Sequence, residues 1–191
     1  MKRMLQMLIP VALLLAACSK EQSQEFVEPD PNNPGGPGNG GGGGNNTGYF
    51  LKCKVGGDAK TFNLNMLATK QSDQGMTIMM VLGKANNSNT ESFTFTISSD
   101  ADITAGTYKV NDAAATYDVV ATWITANPTI SYWAMTGDAG GDAFQITISS
   151  INATEMTGTF RGTVFEVNVN NPSPTPPTKT ITEGEFKVKF Q

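Results

Sequence analysis

The chain has 191 residues, a formal net charge of −4 and no histidine. Without histidine, Ser-His-Asp and Cys-His catalysis are excluded, and so are nearly all catalytic zinc sites. The basic residues are scattered and form no stripe, so we expect no binding to nucleic acid or to an anionic membrane surface. No cofactor is expected from the composition either.

The first residues have the pattern of an export signal. Lys2 and Arg3 precede an apolar run from Met4 to Leu15. A run of about a dozen residues is too short to span a bilayer, which needs about 20 residues. The segment is therefore typical of the apolar region of a secretory signal peptide, over residues 1–17.

The signal ends in Leu15-Ala16-Ala17-Cys18, which resembles the lipobox of bacterial lipoproteins. The resemblance implies cleavage before Cys18, a diacylglycerol on its thiol, and a fatty acyl chain such as palmitate on the new amino group. The partner of this end would then be a membrane, because several acyl chains anchor firmly. An ordinary secretory signal with an incidental cysteine is the alternative.

Residues 18–47 are predicted to be a tether. Acidic residues at 21, 25, 28 and 30 resemble the surface-export signal of Bacteroidota lipoproteins, although a solvated tether would carry them equally well. The expected location is therefore the bacterial outer membrane, at the cell surface. The Pro/Asn and Gly/Asn run from Pro29 to Asn46 is typical of a flexible linker, and the coil from Gln22 to Thr47 would have a reach of about 28 Å over its 26 residues.

Residues 48–191 are predicted to form a single all-β domain. Apolar and polar residues alternate from Tyr49 to Val55, from Ser92 to Ser98, and in later segments, which indicates strands with one buried face. Gly162 marks a β-bulge where the alternation changes phase. Only Phe62–Gln71 has a weakly helical pattern. We expect about nine or ten short strands in an antiparallel β-sandwich or a partly closed barrel.

Several motifs of this domain resemble a family of small uncharacterised Bacteroidota lipoproteins, grouped as a domain of unknown function. The resemblance covers most of residues 48–191 and implies an all-β fold in the cell envelope, but no activity and no known site. The motifs are Tyr49-Phe50 with Val55-Gly56-Gly57, Ala105-Gly106-Thr107-Tyr108, Ile146-Thr147-Ile148, Thr157-Gly158-Thr159-Phe160 and Ile181-Thr182-Glu183-Gly184-Glu185-Phe186.

Three aromatic residues on a predicted hairpin form the main candidate ligand site. These are Trp123, Tyr132 and Trp133 on Tyr117–Trp133, which turns at Ala126-Asn127-Pro128. An exposed aromatic shelf would suit a glycan, because sugar C–H faces stack on rings. Core packing is the stronger alternative. Tyr132 and Trp133 face opposite sides of the strand, and Trp133 is expected to be the more exposed of the two.

Other candidate sites have weaker patterns. Asp138 and Asp142, or Asp100 and Asp102, would suit calcium, although turn chemistry accounts for them as well. A carboxylate hydrolase would require a pair of acids. Asp118, Glu155 and Glu166 are conceivable members, and the sequence singles out no pair among them.

Sulfur chemistry is also weakly supported. Cys53 lies on an apolar strand face and is predicted to be a core residue rather than a reactive thiol. Met76, Met79 and Met80 would lie on both faces of one strand, so they are expected to fill space and not to bind one copper ion.

We therefore expect a non-catalytic envelope lipoprotein that binds a glycan or a protein. A structural or assembly subunit is the first alternative, with the C-terminal strand Gly184–Gln191 adding to a neighbour's sheet. A carboxylate-dependent hydrolase is the second.

Intact-mass analysis of the cell-made protein checks the anchor. We expect a chain that begins at Cys18 and carries two or three fatty acyl chains, because the lipobox implies both modifications. A chain that keeps its first seventeen residues, or that lacks fatty acid and washes off in buffer, would contradict this expectation.

Overall fold

The computed structural model describes residues 48–85, 90–126, 128–135, 143–167, 173 and 175–191, which belong to one compact unit over 41–191. These residues form an all-β domain without a helix, as the alternation predicted. Accordingly, the described part of the chain contains no helix that is long and apolar enough to cross a membrane.

The described residues form eleven strands, one or two more than the sequence pattern predicted. They are β1 (Phe50–Val55), β2 (Asp58–Thr61), β3 (Leu64–Asp73), β4 (Met76–Lys84), β5 (Ser92–Ser99), β6 (Gly106–Lys109), β7 (Tyr117–Ile124), β8 (Ser131–Ala134), β9 (Gln145–Ile151), β10 (Glu155–Val167) and β11 (Thr178–Lys189).

The strands form one strongly curled antiparallel sheet with the order β2-β1-β11-β10-β8-β7-β5-β4-β3. The long strand β10 pairs with β9 in its first half and with β8 near its end, and β6 pairs with β9. The curl brings the edge strand β3 to the end of β11, where a single parallel bridge joins Ala68 to Phe190. Between the two predicted architectures, the continuous sheet therefore resembles a partly closed barrel more than two separate sheets.

Phenylalanine side chains fill the inside of the curled sheet. They come from distant strands, and the stacked pair Phe93 and Phe160 joins β5 to β10 with ring centroids 5.0 Å apart. Each buried phenylalanine contributes roughly 1.5–3 kcal/mol relative to an exposed one. The fully buried members are Phe62, Phe93, Phe95, Phe144, Phe160 and Phe186.

A bulge lies beside Gly162 as predicted, but the extra residue is on the partner strand β11. The register shifts between Phe160 and Gly162, where two steps along β10 face three steps along β11, and Glu183 on β11 has a φ of 50°. Gly162 itself has a φ of 139°, which a residue with a side chain rarely adopts. Phe160 and Val164 face inwards, whereas Phe165 and Val167 lie on the other face, as the sequence pattern predicted.

The prediction of a short helix over Phe62–Gln71 is wrong. Most of this segment belongs to β3, which pairs with β4 through the two-residue turn Gln74-Gly75. Both turn residues have positive φ, as the preferred hairpin turn requires. The ladder with β4 satisfies the backbone of β3 and outweighs the weak helical propensity of the isolated segment.

The C-terminal strand is an internal strand of the sheet. β11 pairs with β1 on one side and with β10 on the other, over a longer segment than the predicted Gly184–Gln191. It therefore offers no long free edge to a neighbour, and this removes the structural feature on which the assembly alternative depended.

Close packing on the backbone explains Gly158. A Cβ atom at this position would collide with the carbonyl oxygen of Thr147 and with the ring of Phe186. We expect Gly158→Ala to lower the free energy of unfolding by about 1–3 kcal/mol, measured by urea denaturation. The neighbouring exposed change Thr159→Ala should alter it by less than about 0.5 kcal/mol. Equal effects of the two changes would show that the packing around Gly158 is not as tight as the structure indicates.

Candidate functional site

The pleat of β8 separates the three aromatic residues that the sequence singled out. Trp123 and Tyr132 face inwards and stack at 5.0 Å, and they are only 6% and 5% exposed. Trp133 lies on the opposite face of the sheet and is half-buried. The three residues therefore do not form one exposed shelf, and stacking of a sugar on Trp123 or Tyr132 would require the core to open.

A buried carboxylate holds the inward-facing pair in place. Glu91 is 4% exposed, and its Oε1 accepts a hydrogen bond from Trp123 Nε1 at 3.3 Å and lies 2.9 Å from Lys60 Nζ. On the other side of the stack, the Tyr132 hydroxyl donates to Glu166 Oε2 at 3.5 Å. Burial raises the pKa of the Tyr132 hydroxyl, and the negative charge of Glu166 raises it further.

These contacts stabilise the fold and do not form a reaction site. A buried carboxylate is stable only when a cation and hydrogen-bond donors face it, and Lys60 and Trp123 supply both. The sequence analysis missed Glu91 and Lys60. No local pattern distinguishes them, because Glu91 reads as a loop residue before β5 and Lys60 as one lysine on a short strand.

Cys53 lies beside this network and behaves as a core residue. It is 4% exposed, and burial raises the pKa of its thiol to about 12, an effect that Lys60 partly offsets and Glu91 reinforces. A protonated, buried thiol is a poor nucleophile. The position of Cys53 therefore agrees with the packing role that the sequence predicted.

The outer face of the curled sheet is the most unusual surface of the domain. Strands β4, β7, β8 and β10 present apolar side chains outwards as well as inwards, in line with the two-sided pattern of Met76–Leu82, and β5 between β4 and β7 presents serines and threonines. We define the outer face by residues that alternate with core residues on these strands, which are Ile78, Met80, Leu82, Val120, Ile124, Trp133, Phe165 and Val167, with Thr94, Thr96 and Thr122 between them.

The outer face is large enough to form the centre of an interface, which as a whole buries about 800 Å² on each partner. Five adjacent strands at about 4.8 Å spacing, with four residues along each, give a projected area on the order of 300 Å². Within the described strands, its charged side chains lie only at the margins, at positions such as Lys84 and Asp118. Contiguous apolar patches of this size on a monomer are often functional.

Trp133 occupies a particular place on this face. It is the direct cross-strand neighbour of Phe165 on β10 and of Thr122 on β7. Its indole Nε1 is buried, and no acceptor lies within hydrogen-bond distance among the residues that the structure describes. An unsatisfied buried N–H is costly, and a partner's acceptor would reach this one only if the indole moved.

The remaining candidate acids do not form a pair. Glu155 and Glu166 lie near opposite ends of β10, roughly 35 Å apart along the strand, whereas carboxylate hydrolysis needs about 5–9.5 Å. Asp118 is exposed at the margin of the outer face. The predicted split of the methionines also holds, because Met79 is fully buried on the inner face while Met76 is 40% exposed.

The weak calcium candidates are only partly covered. Asp138 and Asp142 lie outside the described residues. Asp102 forms an ion pair with Lys70 at 2.6 Å, which lowers the pKa of its carboxyl through the hydrogen bond with that lysine. Over the ranges that the structure covers, no three metal-ligating side chains come together.

Comparison with known proteins yields no relative. No protein family matches the chain, and neither does a curated protein or a solved structure. The resemblance to uncharacterised Bacteroidota lipoproteins therefore stays a prediction.

The Glu91 network provides a stability test. We expect Glu91→Leu to lower the free energy of unfolding by about 2–4 kcal/mol, because Lys60 and the Trp123 indole would lose their buried acceptor. The matched control is Glu185→Ala at the half-exposed pair with Lys52, which should cost less than about 1 kcal/mol. Urea denaturation measures both. A Glu91 variant as stable as the Glu185 variant would contradict a supporting role for the network.

Proposed function

We propose that the chain is a lipid-anchored envelope lipoprotein whose β-domain binds a partner protein through the outer face. The observation that carries this proposal is the set of apolar side chains on the solvent side of β4, β7, β8 and β10, with a row of threonines on β5 between β4 and β7. Such side chains are excluded from water only when another surface covers them, and their burial is the dominant gain in most protein–protein association.

The chemistry of the outer face favours a protein over a sugar. Its centre carries no charge, and the apolar residues Met80 and Val120 lie on either side of Thr96. Sugars need several polar groups that fix their hydroxyls, whereas interface cores in proteins are apolar and depleted of charge. The aromatic pair Trp133 and Phe165 adds large contact areas of the kind that dominate binding energy in protein interfaces.

The anchor and the tether complete the proposal. Acylation at Cys18 would hold the protein on the membrane, and the linker up to residue 47 would let the domain move some tens of ångströms from it. Tethering raises the effective concentration of the domain near other envelope proteins. A partner of moderate affinity would then be bound efficiently.

A glycan is the second candidate partner. Trp133 and Phe165 are adjacent aromatic rings, and Thr122 brings a hydroxyl to the same place. A sugar ring stacked there would contact only one end of the outer face, so it would leave the region around Met80 uncovered.

Site-specific photo-crosslinking in the producing cells tests the proposal. A photoreactive phenylalanine analogue placed at Met80 or Val120 should form a defined protein adduct, because both positions lie at the centre of the outer face. The matched control is Thr159, an exposed position on the part of β10 that pairs with β9. It should form no adduct.

Two results would contradict a protein partner on this face. One is the absence of adducts at both central positions in cells that carry the lipidated protein. The other is an equally strong adduct at Thr159. Binding on a glycan array that Trp133→Ala abolishes, with Met80→Lys unaffected, would instead favour the second candidate.

A further inference from the structure

The curled sheet does not close completely, and the gap lies along β3. This strand is the last in the sheet order, and it is paired with β4 on one side only. On its other side, the described residues make one bridge, between Ala68 and Phe190. We call this gap between β3 and the end of β11 the seam.

The backbone groups that face the seam follow from the hairpin register. In a two-residue hairpin, the residues that flank the turn exchange hydrogen bonds, and every second residue along the strand does the same. Asp73, Gln71 and Thr69 therefore bond to β4. Ala68, Lys70 and Ser72 direct their backbone groups to the seam.

Gln191 already forms hydrogen bonds with this edge. The backbone N–H of Gln191 donates to the carbonyl oxygen of Ala68 at 3.0 Å, and the Gln191 side chain donates to the carbonyl oxygen of Met66 at 3.3 Å. This contact runs parallel to β3. The edge is thus able to accept a strand in the parallel direction, and among the described residues no strand pairs with it at the level of Lys70 and Ser72.

A pocket of about 550 Å³ lies in the seam at this level. Its volume is within the range of ligand sites, which is about 300–1,000 Å³. Ile103, Ile151 and Phe190 provide apolar walls, while Lys70 and Asp102 form an ion pair across it at 2.6 Å. An apolar pocket next to an unpaired strand edge is the combination that strand-adding peptide sites use.

We propose that the seam binds an extended peptide of another protein, which adds a strand parallel to β3 at the level of Lys70 and Ser72. The carbonyl oxygen of Lys70 accepts a hydrogen bond from the peptide, and the N–H of Ser72 donates one to it. Alternate peptide side chains enter the pocket between Ile151 and Phe190. This site is separate from the outer face, so either proposal can fail without the other.

A phage-displayed library of linear seven-residue peptides, panned on the full chain, tests the seam. We expect enrichment of peptides with alternating apolar residues, and synthetic copies should slow hydrogen exchange of the Ser72 amide at least about tenfold. Ser72→Pro removes the N–H donor at an edge position where proline is tolerated, and it should weaken binding about tenfold.

The matched control is Ser72→Ala, which also loses the side-chain hydrogen bond between Ser72 and Thr77 but keeps the backbone N–H. It should bind within about threefold of the wild type, as expected for a change that spares the ladder. Ala153→Trp decides the question if the proline variant does not fold, because Ala153 is an exposed residue on the opposite wall of the pocket. A tryptophan there should fill the pocket and abolish binding.

Three outcomes would overturn the proposal. The library yields no binder, or the selected peptides bind Ala153→Trp as tightly as the wild type, or they bind without slowing the Ser72 amide. Loss of binding in Ala153→Trp together with protection of Ser72 supports it.

Discussion

The domain depends on one constraint. A single antiparallel sheet must curl tightly enough for side chains from separate strands to pack in one core. The ring of Phe93 on β5 meets that of Phe160 on β10, three strands away in the sheet order, and Phe186 on the neighbouring strand β11 joins them in the interior. Space for them exists only because the backbone lacks side chains at the closest approaches, as at Gly158 and Gly184. Curl, bulge and glycine positions are therefore parts of the same packing solution.

The same curl produces two surfaces with different chemistry. Three apolar residues on the outside of β4 and β7 have no layer above them in the described structure, so their area remains for association. They are Ile78, Met80 and Val120. At the seam, the curl stops short and leaves a strand edge with a pocket beside it. One surface offers apolar area and the other offers backbone hydrogen bonds, so they suit different kinds of partner.

Much of the fold was predictable from the alternation of apolar and polar residues along the chain. Residues such as Phe95 and Ile97 alternate with threonines, and the change in the alternation around Gly162 predicted the register shift beside it. The strand character of Phe62–Gln71 was not predictable in this way, because it depends on pairing with β4, which is a property of the folded sheet and not of the segment alone. The same holds for the site, since Glu91 gains its role only when folding brings Lys60 and Trp123 to it. The sequence also placed Tyr132 and Trp133 on opposite faces with Trp133 the more exposed, and the structure confirms both.

Cys53 has a consequence for the protein's chemical lifetime. Disulfide exchange begins with a thiolate, and a thiol with a pKa of about 12 inside the sheet is almost entirely protonated at neutral pH. In an oxidising compartment, exposed lone cysteines form mixed disulfides with small thiols or with one another. The curled sheet therefore acts as a kinetic shield, and oxidative cross-linking through Cys53 would have to wait for the domain to unfold.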